Sequence, residues 1–119
     1  MGRTLVIGAT TKEDRYANRA IRSLRNHQHP VIAFGQKGGT VEDVEIETEW
    51  NPAWEVETVT LYLNPHNQED YIDRIIALKP KRVIFNPGTE NPEFISKLKS
   101  AGIHPEVACT LVMLSIGNY

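Results

Sequence analysis

The stretch Thr4-Leu5-Val6-Ile7-Gly8-Ala9-Thr10-Thr11-Lys12-Glu13-Asp14-Arg15-Tyr16 decides the fold. A short apolar run, Leu5 to Ile7, ends in Gly8-Ala9-Thr10, crosses a polar loop and enters a helix. A buried strand that runs through glycine into a helix is how an α/β sheet commonly presents a phosphate site. The glycine lets backbone approach the anion, and the helix N-terminus offers unpaired N–H groups with a partial positive charge. Thr4–Ala9 is apolar on both faces, which predicts a central strand in a covered parallel sheet.

Outward from this stretch, strand and helix signals alternate. Ala17–His27 carries Ala17, Ala20, Ile21 and Leu24 at helical spacing, with Arg19, Arg22 and Arg25 elsewhere on its surface. Pro30–Phe34 is a strand opened by proline. Val41–Thr48 alternates apolar and acidic residues and predicts a short edge strand. Thr58–Leu63 is a strand. Asn67–Lys79 is a helix with Asn67 as N-cap and Ile72, Ile75 and Ile76 facing inward. Arg82–Phe85 is the next strand. Pro92–Ala101 is a helix capped by Asn91, with Phe94, Leu98 and Ala101 inward and Gly102 ending it. Ile103–Ala108 is a last strand. Thr110–Ile116 is a helix apolar nearly all round, which must be buried or packed on a second subunit. The order β-α-β-β-β-α-β-α-β-α predicts an α/β protein: a three-layer, doubly wound, Rossmann-like fold with a mainly parallel sheet, in one domain over residues 1–119.

The composition is that of an ordinary soluble globular chain, with 119 residues, 40% hydrophobic and 24% charged. A formal net charge of −2 gives no bulk attraction to nucleic acid or anionic membrane. Charge is nonetheless uneven: arginines crowd the first third, and Glu42–Glu57 is acidic without Lys or Arg. The single cysteine, Cys109, excludes an internal disulfide framework and fits a reducing compartment. With no secretory pattern and no membrane-length apolar run, the expectation is a cytoplasmic protein.

In a doubly wound sheet the ligand lies beyond the carboxyl ends of the strands. The loops Gly8–Tyr16, Gly35–Gly39, Asn64–His66 and Asn86–Asn91 should therefore matter. The first is not the dinucleotide fingerprint, because Thr10 stands where G-x-G-x-x-G needs glycine. It reads either as a wide diphosphate loop using backbone N–H groups, the Thr10 or Thr11 hydroxyl and Arg15, or as an ordinary solvated connection. The second loop has no acid for ribose hydroxyls. Instead Gly35-Gln36-Lys37-Gly38 offers a lysine between glycines, suited to an extra ribose phosphate such as that of NADP or the 3′-phospho-ADP end of coenzyme A.

In order along the chain, GAT followed by Arg15-Tyr16, then VIAFGQKGG, NPHNQ, KPKRVIFNPGTENPE and ACTLVML resemble the small stand-alone CoA-binding proteins of the Rossmann type. The same domain forms the CoA-binding part of the succinyl-CoA synthetase α subunit. The resemblance spans nearly the whole chain and implies CoA lying across the carboxyl ends of the strands. By position it implies that Gly8, Ala9 and Thr10 form the diphosphate loop and that Arg15 and Tyr16 begin the helix. Lys37 and Gly38 follow the second strand. Asn64, Pro65, Asn86, Pro87 and Gly88 close the other side. One departure is local: the family often has Val-Asn-Pro before the lysine, and this chain has Phe34-Gly35-Gln36, which alters the adenosine side. The synthetase's phosphohistidine belongs to a second domain with no counterpart in these residues, so ligase activity does not transfer.

Other residues carry less. His27, His29, His66 and His104 show no metal-ligand spacing, and His66 alone lies in a candidate loop. Cys109 before an apolar helix reads as a reactive thiol or, more simply, a small buried hydrophobe. Trp50 and Trp54 lie away from the candidate loops and suit packing over the sheet edge. Glu90 reads as support for the following helix, and no carboxylate pair has the spacing of a general acid and base. The leading expectation is therefore non-catalytic binding of coenzyme A or an acyl-CoA. An NADP-dependent enzyme or redox sensor is the alternative from another class. A third reading is an interaction subunit with a vestigial pocket, pairing with itself or a partner protein through the C-terminal helix.

Overall fold

The computed structural model describes residues 2–119. The apolar run of the opening stretch becomes β1 (Thr4–Ile7), and Tyr16–Asn26 forms α1. There follow β2 (Val31–Phe34), β3 (Thr40–Val41), β4 (Val44–Glu47) and β5 (Thr58–Leu61). Next come α2 (Pro65–Gln68), a 3₁₀ turn at Glu69–Tyr71 and α3 (Ile72–Ala77). The chain ends through β6 (Arg82–Phe85), α4 (Pro92–Ser100), β7 (His104–Val107) and α5 (Thr110–Ile116).

Among the described residues, seven strands form one sheet in the order β3-β4-β2-β1-β5-β6-β7. Every pairing is parallel except the β3–β4 hairpin. β1 is central, with Val6 opposite Ala33 on one side and Thr60 on the other. All its residues are buried, as an apolar run with no polar face requires. From β1 the chain winds outward through β2, then returns to start β5 on the other flank. The topological switch therefore falls between β1 and β5.

Strand alternation divides the core in two. Leu5, Ile7, Phe34, Val59, Leu61, Val83 and Phe85 face Ile72, Ile75, Phe94 and Leu98 from α3 and α4. Val6, Ala33 and Ile46 face Ala17, Ile21 and Leu24 of α1 and Leu114 of α5. The sequence therefore forms a three-layer, Rossmann-like α/β fold with helices on both faces.

The local differences from the sequence reading have physical causes. Val41–Thr48 is not one edge strand. It turns at Glu42-Asp43, with Glu42 at φ 55°, so Val41 pairs back onto Val44 and the acidic Glu45 and Glu47 stay exposed. The bidentate Arg25–Asp43 ion pair, 2.7 and 2.8 Å, ties that hairpin tip to α1. The N-cap of the next helix is Asn64, not Asn67: its side chain accepts the Asn67 N–H at 2.9 Å, and Pro65 takes the first helical position. The helical run then tightens at Glu69–Tyr71 instead of continuing as one α-helix. Ala101 is an exposed C-cap outside the apolar stripe of α4.

Two further surfaces frame the sheet. At its amino end Tyr119 closes a polar lid over the strand starts. Its hydroxyl meets the Thr4 hydroxyl, its ring lies 4.5 Å below the Arg82 guanidinium, and His29 packs edge-on at 4.8 Å. α5 buries Thr110, Met113 and Leu114 beside α1 but turns Val112 and Ile116 to solvent. Among the described residues no helix is long and apolar enough to cross a membrane.

Candidate functional site

The carboxyl ends of the parallel strands bring all the candidate loops to one end of the sheet. Between them opens a cleft of about 470 Å³, bounded by Gly8, Gly35, Gln36 and Thr48 on one side and by Leu63, His66, Asn67 and Asp70 on the other. Ile7 and Phe34, at the ends of β1 and β2, and Tyr71 supply its apolar surface. This is the crevice at the switch between β1 and β5, where open α/β sheets take ligands.

Glycine makes the close approach possible at two points. Gly8 has φ 95°, and a Cβ there would lie 3.0 Å from the Tyr62 carbonyl oxygen. A Cβ on Gly35 would collide with the Ala9 carbonyl oxygen. The loop after β1 thus packs backbone to backbone against Tyr62 after β5 and against Gly35 after β2, which side chains at these glycines would prevent.

The donors of the first loop are not distributed as the motif suggests. The N–H groups of Gly8 and Ala9 both donate to the Phe34 carbonyl, at 3.0 and 2.9 Å, and so hold the two loops together. Lys12 N–H donates to the Thr10 hydroxyl and Arg15 N–H to the Lys12 carbonyl. Among the described residues, the N–H groups of Thr10, Thr11 and Asp14 have no internal acceptor. Arg15 stands at the N-cap of α1 without a side-chain cap, whereas Asn64 and Asn91 cap α2 and α4, and the first turn of α1 holds no acid. An uncapped, acid-free helix start leaves its first N–H groups and its dipole for an external anion. Arg15 and Tyr16 are exposed beside it, with the Arg19 guanidinium 5.4 Å over the Tyr16 ring. Lys37 and Gly38 are exposed on the second loop.

The opposite rim is built differently. Asn64 is spent on its cap, and Pro65 on starting α2. Asn86 is only 2% exposed. Its amide donates to the Thr60 hydroxyl (2.7 Å) and the Leu61 carbonyl (2.8 Å), and its oxygen accepts the Thr110 N–H (2.9 Å). Pro87 and Gly88 are exposed, and the Gly88 N–H is held at 2.7 Å by the Glu90 carboxylate. Glu90 thus braces its own loop rather than the start of α4.

Gln68 was not among the sequence candidates. It is fully buried, donates at 2.8 Å to the Leu63 and Thr89 carbonyls and accepts from Asn91, so it ties the two loops of this rim together. Its signal was in the sequence: Gln68 precedes Ile72 and Ile75 at helical spacing, a polar residue on a buried stripe.

Trp50 and Trp54 do pack over the sheet, but not away from the site. With Phe34 and Tyr71 they form an aromatic cluster, centroids 5.1 to 6.0 Å apart, and Phe34 and Tyr71 are themselves cleft walls. On the α1 face, the Tyr62 hydroxyl is buried without a hydrogen-bond partner among the described residues, and burial pushes its pKa up to about 12. The nearby Thr60 and Thr110 hydroxyls, which oppose that shift, bond to each other at 2.8 Å. Cys109 is half-buried at the start of α5. His66 lines the cleft; His27, His29 and His104 do not. Among the described residues, no group of three His, Cys, Asp or Glu side chains could hold a metal ion.

Residues 2–115 match a family model described as a CoA binding domain. An uncharacterized protein of known crystal structure is 49% identical, with a TM-score of 0.96 over 100% of this chain and 98% of that one. The cell-free ID.343 protein of Thermus thermophilus is 22% identical, with a TM-score of 0.84 over 99% of this chain and 91% of that one. The dinucleotide-forming acetyl-coenzyme A synthetase 1 of Ca. Korarchaeum cryptofilum, solved with phosphate and ADP, is 12% identical. Its TM-score is 0.73 over 92% of this chain but 26% of that one. At such identities the last two share the fold. No curated protein matches the chain.

Proposed function

Because the chain belongs to the CoA-binding domain family, we propose that it acts as one cytoplasmic binding unit for coenzyme A or an acyl-CoA, without chemistry of its own. The observation that carries this reading is the loop after β1. It combines uncapped N–H donors at Thr10 and Thr11, the acid-free start of α1 and the exposed Arg15, and its Gly8 lines a ready-formed cleft. The diphosphate takes those donors and Arg15. Gly8 and Ala9 act by closeness, since their own N–H groups hold the Phe34 carbonyl.

The adenosine side enters the cleft between Gln36 and Tyr71, against Phe34. Glu69 and Asp70 on that rim repel a phosphate, which leaves Lys37, on the other side, to receive the 3′-phosphate. The pantetheine arm then crosses toward Pro87 and Gly88, while Asn64 and Asn86 hold those loops without touching ligand. NADP also carries a ribose phosphate that Lys37 could take, but the first loop lacks the dinucleotide glycines. The partner-protein reading has only Val112 and Ile116 behind it.

Calorimetric titration with CoA, dephospho-CoA, NADP and NAD tests this reading. The expected result is selective CoA binding. Lys37→Ala should weaken CoA by about tenfold, the scale of one phosphate contact, and dephospho-CoA hardly at all. Equal losses for both would remove Lys37 from the 3′-phosphate. Saturable NADP binding without CoA binding would overturn the assignment.

A further inference from the structure

Two side chains of α1 reach back to the loop that precedes their own helix. The Asn18 amide, 2% exposed, donates to the Thr10 carbonyl at 2.9 Å. The Asn18 oxygen accepts Arg22 Nε at 2.8 Å, and Arg22 Nη2 donates to the Glu13 carbonyl at 2.8 Å. Thr10 and Glu13 carbonyls are therefore both turned toward the helix and bonded there, one of them to a cation.

Peptide planarity makes this consequential. In a trans peptide the carbonyl of one residue and the N–H of the next point in opposite directions. With the Thr10 carbonyl held by Asn18, the Thr11 N–H points away from α1. With the Glu13 carbonyl held by Arg22, the Asp14 N–H does the same. Neither N–H has an acceptor among the described residues. A loop free to flip these peptides would present carbonyl oxygens, which repel an anion, as readily as N–H groups.

We infer that Asn18 and Arg22 are positioning residues that lock the Thr10–Asp14 peptides with their N–H groups turned outward to bind the diphosphate; this rests on the CoA reading above. Arg22 acts here by geometry. Its guanidinium bridges two acceptors at once, Asn18 Oδ1 and the Glu13 carbonyl, which a lysine ammonium cannot do with the same fork.

The test is a titration of the isotopically labelled chain, followed by amide resonances, with CoA and separately with inorganic pyrophosphate. The expected result is that the Thr11 and Asp14 amides move with both ligands. Arg22→Lys and Arg22→Ala should each weaken both ligands by about tenfold at unchanged ligand-free fold, the scale of a lost charge-assisted hydrogen bond. Full affinity in Arg22→Lys would overturn the positioning role and leave only charge. CoA binding with the Thr11 and Asp14 amides unmoved would overturn the inference and leave the CoA reading intact. Pyrophosphate shifts at those amides without CoA binding would support the loop assignment and overturn the CoA reading. If the Arg22 variants fail to fold, the wild-type amide shifts decide alone.

Discussion

The loops after β1 and after β6 lie at the carboxyl ends of the strands on either side of β5, yet they use their polar groups in opposite ways. After β6, Asn86 and Thr89 turn inward, to the Thr60 hydroxyl and the Leu61 carbonyl and to the Asn86 carbonyl, and Glu90 accepts the Gly88 N–H of its own loop. After β1, Asn18 and Arg22 hold the carbonyls back, and the N–H groups of Thr11 and Asp14 have no partner among the described residues. A buried polar side chain must satisfy itself within the protein, whereas an exposed donor can wait for a ligand. Loops rich in Asn, Gly and Thr can therefore be either wall or site. The difference lies in where the donors point.

That contrast can be broken most sharply at Asn86. Replacing it by alanine strands the Leu61 carbonyl and the Thr110 N–H in the interior, so Asn86→Ala should cost about 2–4 kcal/mol in urea unfolding. A loss under about 0.5 kcal/mol would mean that the loop after β6 is not the rigid wall. Arg15→Ala makes the opposite cut. The side chain is exposed and caps nothing, so stability should stay within about 0.5 kcal/mol while CoA affinity falls about tenfold. Unchanged affinity in calorimetry would take Arg15 out of the diphosphate site.

The smallest expected effect lies at the far end of the sheet. Burial, with smaller contributions from the nearby His27 and Arg82 charges, lowers the His29 pKa below its ordinary 6.5. The folded chain then binds fewer protons at His29 than the unfolded chain does. Stability should fall as pH drops through 6.5 toward the lower folded value. Unfolding midpoints above and below pH 6.5 should show a shallower acid loss in His29→Asn. An identical slope would place the titration elsewhere. CoA affinity should not follow this change, because His29 and Tyr119 sit at the amino end of the strands, opposite the cleft.

Much of this architecture is legible in local patterning. Leu5 to Ile7 has no polar face, and β1 is the central strand. Ala17, Ala20, Ile21 and Leu24 repeat at helical spacing, and all four are buried in α1. Asn91 before Pro92 reads as a cap and is one. Where the reading slipped, the signal was weak or doubled. Glu42-Asp43 turns a hairpin without glycine or asparagine to mark it, and Asn64 competes with Asn67 for one helix start. The candidate site was legible at the level of loops, because strand ends follow from strand positions.

The sequence by itself determined the alternation of strand and helix, the central place of β1 and the set of loops gathered at the carboxyl ends, because burial demands periodic apolar residues. Only the tertiary structure decided which polar groups stand ready for a ligand. Gly8 and Ala9 give their N–H groups to Phe34, Asn86 and Gln68 vanish into the wall, and Thr11 and Asp14 keep theirs. Those choices depend on partners as far apart as Asn86 and Thr110, or Gln68 and Thr89. Hydrogen bonds are satisfied by neighbours in space, which a linear pattern does not record.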